Sequence, residues 1–509
     1  MENIFKFQDL ILSAPQMILI SGALLILLLQ VVLPGFRRVL AFYIALISLF
    51  ASLYVVTYGI PGTAFYGLLS GNPEGGTVFQ GNLRLNSYIQ HYSFLILLAV
   101  TIMLFFIKRV FSEQKLELAE VYQFLLYIGA GSIFTVSAND LMTMFIGLEL
   151  SSLPFFILAA WDRGRATATE AAVKYYFLST IGIAFMLLGI ALVYGGSGST
   201  RLSEVLPVVF AEDSFSYKLL AAGWFLIIGG FLFKIAVVPF HGWVADVYDG
   251  APSVITAAMA SIVKISAVGA VFRILQFMQP DMHMILNTGI IVFAVASMVY
   301  GNMATLNQNY LKRVFAYSSI AHAGYIITMF MFFPESFKAI SLRTEASSAL
   351  YFYILAYALT SILAFATIAY LENGEERGLT FDHLKGLSKK NPFAAFLLSV
   401  SALSFAGIPP LAGFFGKLFL LKVLISAGYY YLAVVMIVTS LVGVYFYIRI
   451  VFYAYWDFED ENARSGTLPP FRGIFAWSAA IVTAVLVLGI GFYSESIFNF
   501  ARVASELIQ

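Results

Sequence analysis

Apolar runs of about twenty residues recur along this chain, separated by short polar segments. A helix rising 1.5 Å per residue needs about 20 such residues to cross a bilayer. The pattern predicts about fourteen spanning helices, at approximately 11–33, 39–59, 91–110, 119–137, 140–161, 171–194, 217–240, 253–278, 284–300, 313–333, 346–371, 392–427, 429–455 and 473–497. The eleventh to thirteenth are long, so tilt or interruption is expected. The first exceeds the apolar core of a signal peptide, and Arg37 and Arg38 follow it, so it reads as a spanning helix. The longest polar loop lies near residues 60–90, a second spans 372–391, and 455–472 is a short charged connector. No soluble domain is visible.

Two stretches carry breaks. The seventh has Lys234 followed by Pro239; the twelfth has Gly407, Pro409, Pro410 and Gly413, then Lys417. Proline removes a backbone donor and clashes with the preceding turn. Unwound backbone at bilayer depth is tolerated only inside protein or beside a wet cavity. The two stretches lie five apart, and an odd offset reverses direction. That predicts inverted repeats with working sites at the breaks, although Lys234 precedes its proline and Lys417 follows its pair.

Composition agrees. The chain is 61% hydrophobic and 11% charged, against about 25% charged in soluble proteins. A net charge of +1 offers no basic surface for nucleic acid. The absence of cysteine excludes disulfides, thiolate nucleophiles and iron–sulfur ligation. Five scattered histidines form no metal-ligand spacing, and no glycine-rich nucleotide motif occurs. Roughly 15 Lys and Arg, Lys312 and Arg313 among them, follow odd-numbered stretches, against roughly 8, Arg273 among them, on the other side. The richer side is then cytoplasmic, with both termini outside.

Glu149, Lys234, Lys264 and Lys417 stand inside apolar stretches. A lysine at mid-bilayer costs roughly 2.5–3.5 kcal/mol on insertion scales, so the four line a polar interior, pair, or carry protons. Glu149 lies nine residues from Asp140, about 13 Å deep; it is a structural ion-pair partner or a group that tunes a lysine. A near carboxylate favours the ammonium form of Lys234 and a distant one favours release. A three-unit change is about 4 kcal/mol, comparable with about 3.5 kcal/mol for a proton moved against 150 mV. The alternative is a static lysine capping carbonyls at a broken helix. Lys174, four residues after Glu170, is either on the same axis or snorkelling to the interface, as Lys422 and Arg449 are. His241, just past Pro239, suits a proton relay or a helix cap. His322 and Tyr325 share a face, as a relay or an interhelical hydrogen bond. The many phenylalanines and tyrosines read as packing or lipid-facing residues.

These residues carry a resemblance. PFHGWVADVYDGAPS (239–253) followed by Lys264, LKRVFAYSSIAHAGY (311–325) and AGIPPLAGFFGK (406–417) resemble the motifs of the antiporter-like membrane subunits of respiratory complex I, in the expected order over most of the chain. The DVYDGAP turn resembles the subunit N type; Lys417 rather than glutamate argues against the M type, and the length against the L type.

The resemblance implies an all-α polytopic membrane protein of about 14 helices. It has an N-terminal segment (1–118), two inverted five-helix repeats (119–278 and 279–455) and a C-terminal connector and helix (456–509), with helices 7 and 12 broken. It implies Glu149, Lys234, Lys264, Lys417, Lys174, His241 and His322 as proton-transfer residues, and residence in the cell's inner (plasma) membrane. NADH, FMN, iron–sulfur clusters and quinone are expected on partner subunits, and no cofactor or metal on this chain. The expected partners are other membrane subunits, both antiporter-like and small, with lipids, water and protons. The function implied is proton translocation driven by redox chemistry in those partners. Rival readings are an Mrp-type cation/proton antiporter subunit, a ferredoxin-driven relative, and a purely structural spacer.

Overall fold

The computed structural model describes residues 7–33, 38–60, 76–205, 214–276, 280–332, 340–372, 378–456 and 474–506. The chain begins with α1 (Phe7–Leu12), α2 (Ala14–Val32) and α3 (Arg38–Tyr58). A short antiparallel hairpin, β1 (Gly76–Val78) and β2 (Leu83–Leu85), precedes α4 (Ser87–Glu113). There follow α5 (Ala119–Ser137), α6 (Leu141–Ala159), α7 (Ala166–Ser197), the short α8 (Leu202–Val205), α9 (Phe215–Ile235), α10 (Val244–Gly250) and α11 (Ser253–Gln276). Then come α12 (Pro280–Leu306), α13 (Leu311–Ile327), α14 (Ile340–Leu371), α15 (Leu387–Lys390), α16 (Pro392–Ala406), α17 (Ala412–Ser426), α18 (Tyr430–Tyr455), α19 (Ile474–Phe492) and α20 (Ser494–Glu506).

Each of the fourteen predicted stretches is helical, but not each is one continuous span. Twelve helices are long and apolar enough to cross a membrane among the described residues, or thirteen if α19 and α20, bent by 82°, count as one. The twelfth stretch is the reason for the shortfall: it is two 15-residue helices, α16 and α17. The last predicted stretch also bends, at Tyr493, and the tenth tightens into a 3-10 turn over Thr328–Phe332.

The interior is built where side chains are small. α11 reads SVITAAMASIVKISAVGAVF, and with α14 it is buried on all sides. Small residues let helix backbones approach closely in a membrane. Lipid-like faces carry large side chains instead, as on α7 with Phe177, Ile181 and Leu188 exposed.

The packing order repeats. α5 packs on α6 as α12 packs on α13; α7 packs on α9 as α14 packs on α16 and α17; α11 returns to α5 as α18 returns to α12. The breaks match as well. Ala236 (φ +71) ends α9 with Pro239 three residues on, and Gly407 (φ +83) ends α16 with Pro410 three residues on. Both prolines follow cis peptide bonds. A left-handed backbone is natural for Gly407 and costs about 1–2 kcal/mol for Ala236.

Two of the residues counted as loop charges are buried within helices. Lys312 is in the first turn of α13 and Arg273 in the last turn of α11, and both are buried. Arg273 donates to the carbonyls of Val136 and Ala138, closing the end of α5. One comes from each side of the charge count. Lys6, Arg37, Lys338, Arg377, Arg464 and Arg472, also counted, lie outside the described residues, as do 61–75 of the first long loop and most of the 455–472 connector.

Candidate functional site

Lys264 occupies the middle of α11, 1% exposed. Its ammonium donates to Ser319 O at 2.8 Å and Ser319 Oγ at 2.7 Å, and lies 4.9 Å from the centre of the Tyr357 ring. No carboxylate pairs with it among the described residues. Burying an unpaired cation is expensive, and here hydroxyls, a carbonyl and a ring face supply the compensation. Ser319 is the hub, because its carbonyl and its hydroxyl both take the Lys264 ammonium and the Tyr248 and Tyr357 side chains lie beside it. It faces α11 because α13 presents Phe315, Ser319 and His322 at helical spacing.

On one side the network reaches Lys417. His322 Nδ1 meets the Tyr353 hydroxyl at 2.6 Å and Nε2 meets the Tyr447 hydroxyl at 3.1 Å, and Tyr447 closes on Ser318. A cavity of about 10 Å³, the size that admits one water, is lined by His322, Tyr353, Tyr357, Thr360 and Ser404 together with apolar neighbours. Lys417 donates to Phe405 O (2.8 Å), Ala406 O (3.1 Å) and Ser440 Oγ (2.6 Å), with its ammonium over the Tyr325 ring. It therefore caps carbonyls that the break in the twelfth stretch sets free.

On the other side lies Lys234, near the end of α9. It donates to Ser152 Oγ at 3.0 Å, close to the rings of Phe156 and Tyr175. It does not cap its own broken helix; the Trp243 indole does that, donating to Phe233 O at 3.1 Å. Tyr175 lies beside the Lys234 ammonium and within electrostatic reach of Tyr248, which lies beside the Ser319 hub. Glu149 on α6 lies within electrostatic reach of Lys234 but forms no ion pair with it, and its Oε1 has no hydrogen-bond partner.

Lys234, Lys264, His322 and Lys417 thus lie along one buried polar line, with His322 within electrostatic reach of both Lys264 and Lys417 and Glu149 beside the first member. Lys174 and His241 do not join it. Lys174 pairs with Glu170 (2.8 Å) and Asp246 (2.7 Å) in a half-exposed cluster. His241 is half-buried, with its ring 4.4 Å from that of Tyr300 and Nδ1 unpartnered. Tyr248, Ser319, Tyr353, Tyr357, Tyr447 and Ser440 were missed as site residues. The one sequence signal is helical spacing: Ser319 lies three residues from His322, which the sequence singles out, and Tyr353 and Tyr357 lie four apart. No group of His, Asp and Glu suited to a metal ion occurs among the described residues.

The sequence profile of a family described as NADH:quinone oxidoreductase/Mrp antiporter, TM, matches residues 138–443, which hold all of these groups but Tyr447. NADH-quinone oxidoreductase subunit N of Trichlorobacter lovleyi is 33% identical over 99% of both chains. A chain of respiratory complex I from Thermus thermophilus superposes with a TM-score of 0.77 at 29% identity, covering 95% of this chain and 98% of that one. A chain of the Mrp complex from Dietzia sp. matches with a TM-score of 0.77 at 19% identity, over 97% of this chain and 96% of that one. At that identity the likeness is one of fold alone.

Proposed function

The chain belongs to the NADH:quinone oxidoreductase/Mrp antiporter membrane family, alongside subunit N of NADH-quinone oxidoreductases, and from that premise we propose that it translocates protons as a membrane subunit of such an enzyme. The supporting observation is the alignment of buried ionisable and hydroxyl groups from Lys234 past Tyr175 and Tyr248 to Ser319 and Lys264, and on to His322 and Lys417. Hydroxyl groups both donate and accept, so each link passes a proton on and resets. Glu149, beside Lys234 but out of contact, is the tuning group. Redox work in partner subunits moves it toward or away from Lys234, and the proton so released passes by way of Lys264 to Lys417 and out.

NADH, FMN, iron–sulfur clusters and quinone belong to those partners in this reading. The protein resides in the cytoplasmic membrane with both termini outside, and 119–278 and 279–455 are its two transport repeats. The Mrp-type alternative has the likeness of fold, but the curated relatives at 30% identity or more are subunit N proteins. The test is Lys234→Ala in the intact complex, reading assembly, NADH oxidation and proton pumping in vesicles. The expected result is an assembled complex that has lost pumping and coupled oxidation. Normal pumping by that variant refutes the relay, and sodium transport without NADH selects the antiporter.

A further inference from the structure

One buried ionisable pair has no part in that line. Lys312, in the first turn of α13, and Glu372, immediately after α14, have side chains 1% and 4% exposed, with Nζ and Oε1 3.5 Å apart. Lys312 also donates to Ala251 O at 2.9 Å, and Ser253 donates to Glu372 Oε2 at 2.6 Å. The pair is thereby fastened to the turn between α10 and α11. Glu372 Oε1 faces the Lys312 ammonium without accepting a hydrogen bond, so it is the oxygen at which the buried carboxylate would take a proton.

Its surroundings differ on two sides. Outward lies the half-exposed cluster of Lys174, Asp246, Asp249 and Arg313, where Arg313 bonds Asp249 at 2.8 Å and Asp246 at 3.2 Å. Asp249 and Arg165 are close enough to act electrostatically on Lys312. Inward, Ser319 is seven residues along α13 from Lys312, about 10 Å. Between the two levels, Phe365 packs against Phe315 (5.8 Å between ring centres) and Tyr248 (5.7 Å). The arrangement is a half-exposed charged mouth, a buried carboxylate whose Oε1 faces an ammonium without a hydrogen bond, an aromatic plug, and then the hub that holds Lys264.

We propose that Glu372, held by Lys312, is the intake station through which protons from the aqueous side reach Ser319 and Lys264, with Phe315 and Phe365 closing the passage between transfers. The proposal rests on the relay reading above. A hydronium ion at the Asp246–Asp249 cluster protonates Glu372 Oε1, leaving water; Lys312 keeps its three protons and turns wholly to Ala251 O. Glu372 returns to carboxylate by giving that proton to a water entering past Phe315, which delivers it to the neutral Lys264 amine. One proton enters and one leaves the station.

Glu372→Gln alone leaves a buried unpaired ammonium and can fail by misfolding. The decisive variant is therefore Lys312→Met combined with Glu372→Gln, which removes both charges. The whole complex, reconstituted in liposomes, is compared with Lys264→Ala for assembly and for protons moved per NADH oxidised. The expected result is normal assembly of the double variant, with protons per NADH reduced by the same factor as in Lys264→Ala. Wild-type pumping by the double variant while Lys264→Ala fails makes the pair a structural clamp and overturns the proposal, as does failure of the double variant to assemble. Normal pumping by Lys264→Ala sinks the relay reading itself.

Discussion

Replacing Lys417 by arginine separates two roles that the geometry combines. Gly407 N and Ile408 N already serve the carbonyls of Leu403 and Ser404 at the end of α16. Lys417 serves the next two, Phe405 and Ala406, and also Ser440. Losing that cap leaves two buried carbonyls unpaired, at about 1–3 kcal/mol each. Arginine brings five donors in a planar fork and keeps both the charge and the cap. Gly407 makes room for the stem of residue 417: a Cβ there would lie 3.2 Å from Lys417 Cδ. What arginine does not keep is the ability to release a proton. Its reference pKa exceeds that of lysine by roughly 2–3 units, about 3–4 kcal/mol, or about 100- to 1,000-fold in the fraction that deprotonates. Lys417→Arg complexes are expected to assemble and to melt close to wild type, yet to pump at about 1% of the wild-type rate or less if release from this residue is obligatory. Lys417→Met is expected to lose both stability and pumping. The assay is dye-reported acidification of inverted vesicles alongside NADH oxidation. Wild-type pumping by Lys417→Arg would reduce Lys417 to a helix cap.

Three further outcomes follow from the packing. Ser319→Ala removes one of the two acceptors on Lys264 and the hydroxyl that lies beside Tyr248 and Tyr357. A loss of about 1–2 kcal/mol and slowed pumping are expected, with Ser319→Thr restoring both; unchanged pumping in the alanine variant takes the hub off the path. In Gly301→Ala the new methyl lies 2.5 Å from Ala321 N and 2.8 Å from Tyr317 O. Backbone cannot yield as a side chain can, so α12 and α13 separate, at about 1–3 kcal/mol or more, readable as a lowered melting temperature in detergent. Burial pushes the Glu117 carboxyl up, but hydrogen bonds from Lys108 (2.5 Å) and Tyr122 (2.6 Å) outweigh it and hold the group below the usual carboxylate range. Its contribution is complete above the unfolded-state pKa and is lost as pH falls through the folded-state one; Glu117→Gln is expected to flatten the acid limb of stability, and an unaltered limb contradicts the assignment.

The breaks show how far sequence reasoning reaches. Pro239 and Pro410 mark them because proline lacks a donor wherever it occurs, a property of the residue and not of its neighbours. The structure adds which group repairs each break, and the two repairs differ: an indole at the first, a lysine at the second. Lys312 is the opposite case. A cation beside Arg313 at the edge of an apolar run looks like any interfacial charge, and only the return of Glu372 from sixty residues later shows that it is buried and paired.

Hydropathy along the chain settled the membrane class, the helical stretches, the two interruptions and the lysines and histidine of the polar line, because the cost of placing polar groups in hydrocarbon is levied residue by residue. The tertiary structure decided the rest. Ser319, Tyr248, Tyr353, Tyr357 and Tyr447 became relay candidates while most tyrosines stayed packing residues, and Lys174 and His241 fell outside the line. A hydroxyl costs little in either place, so its role depends on which helix packs against it.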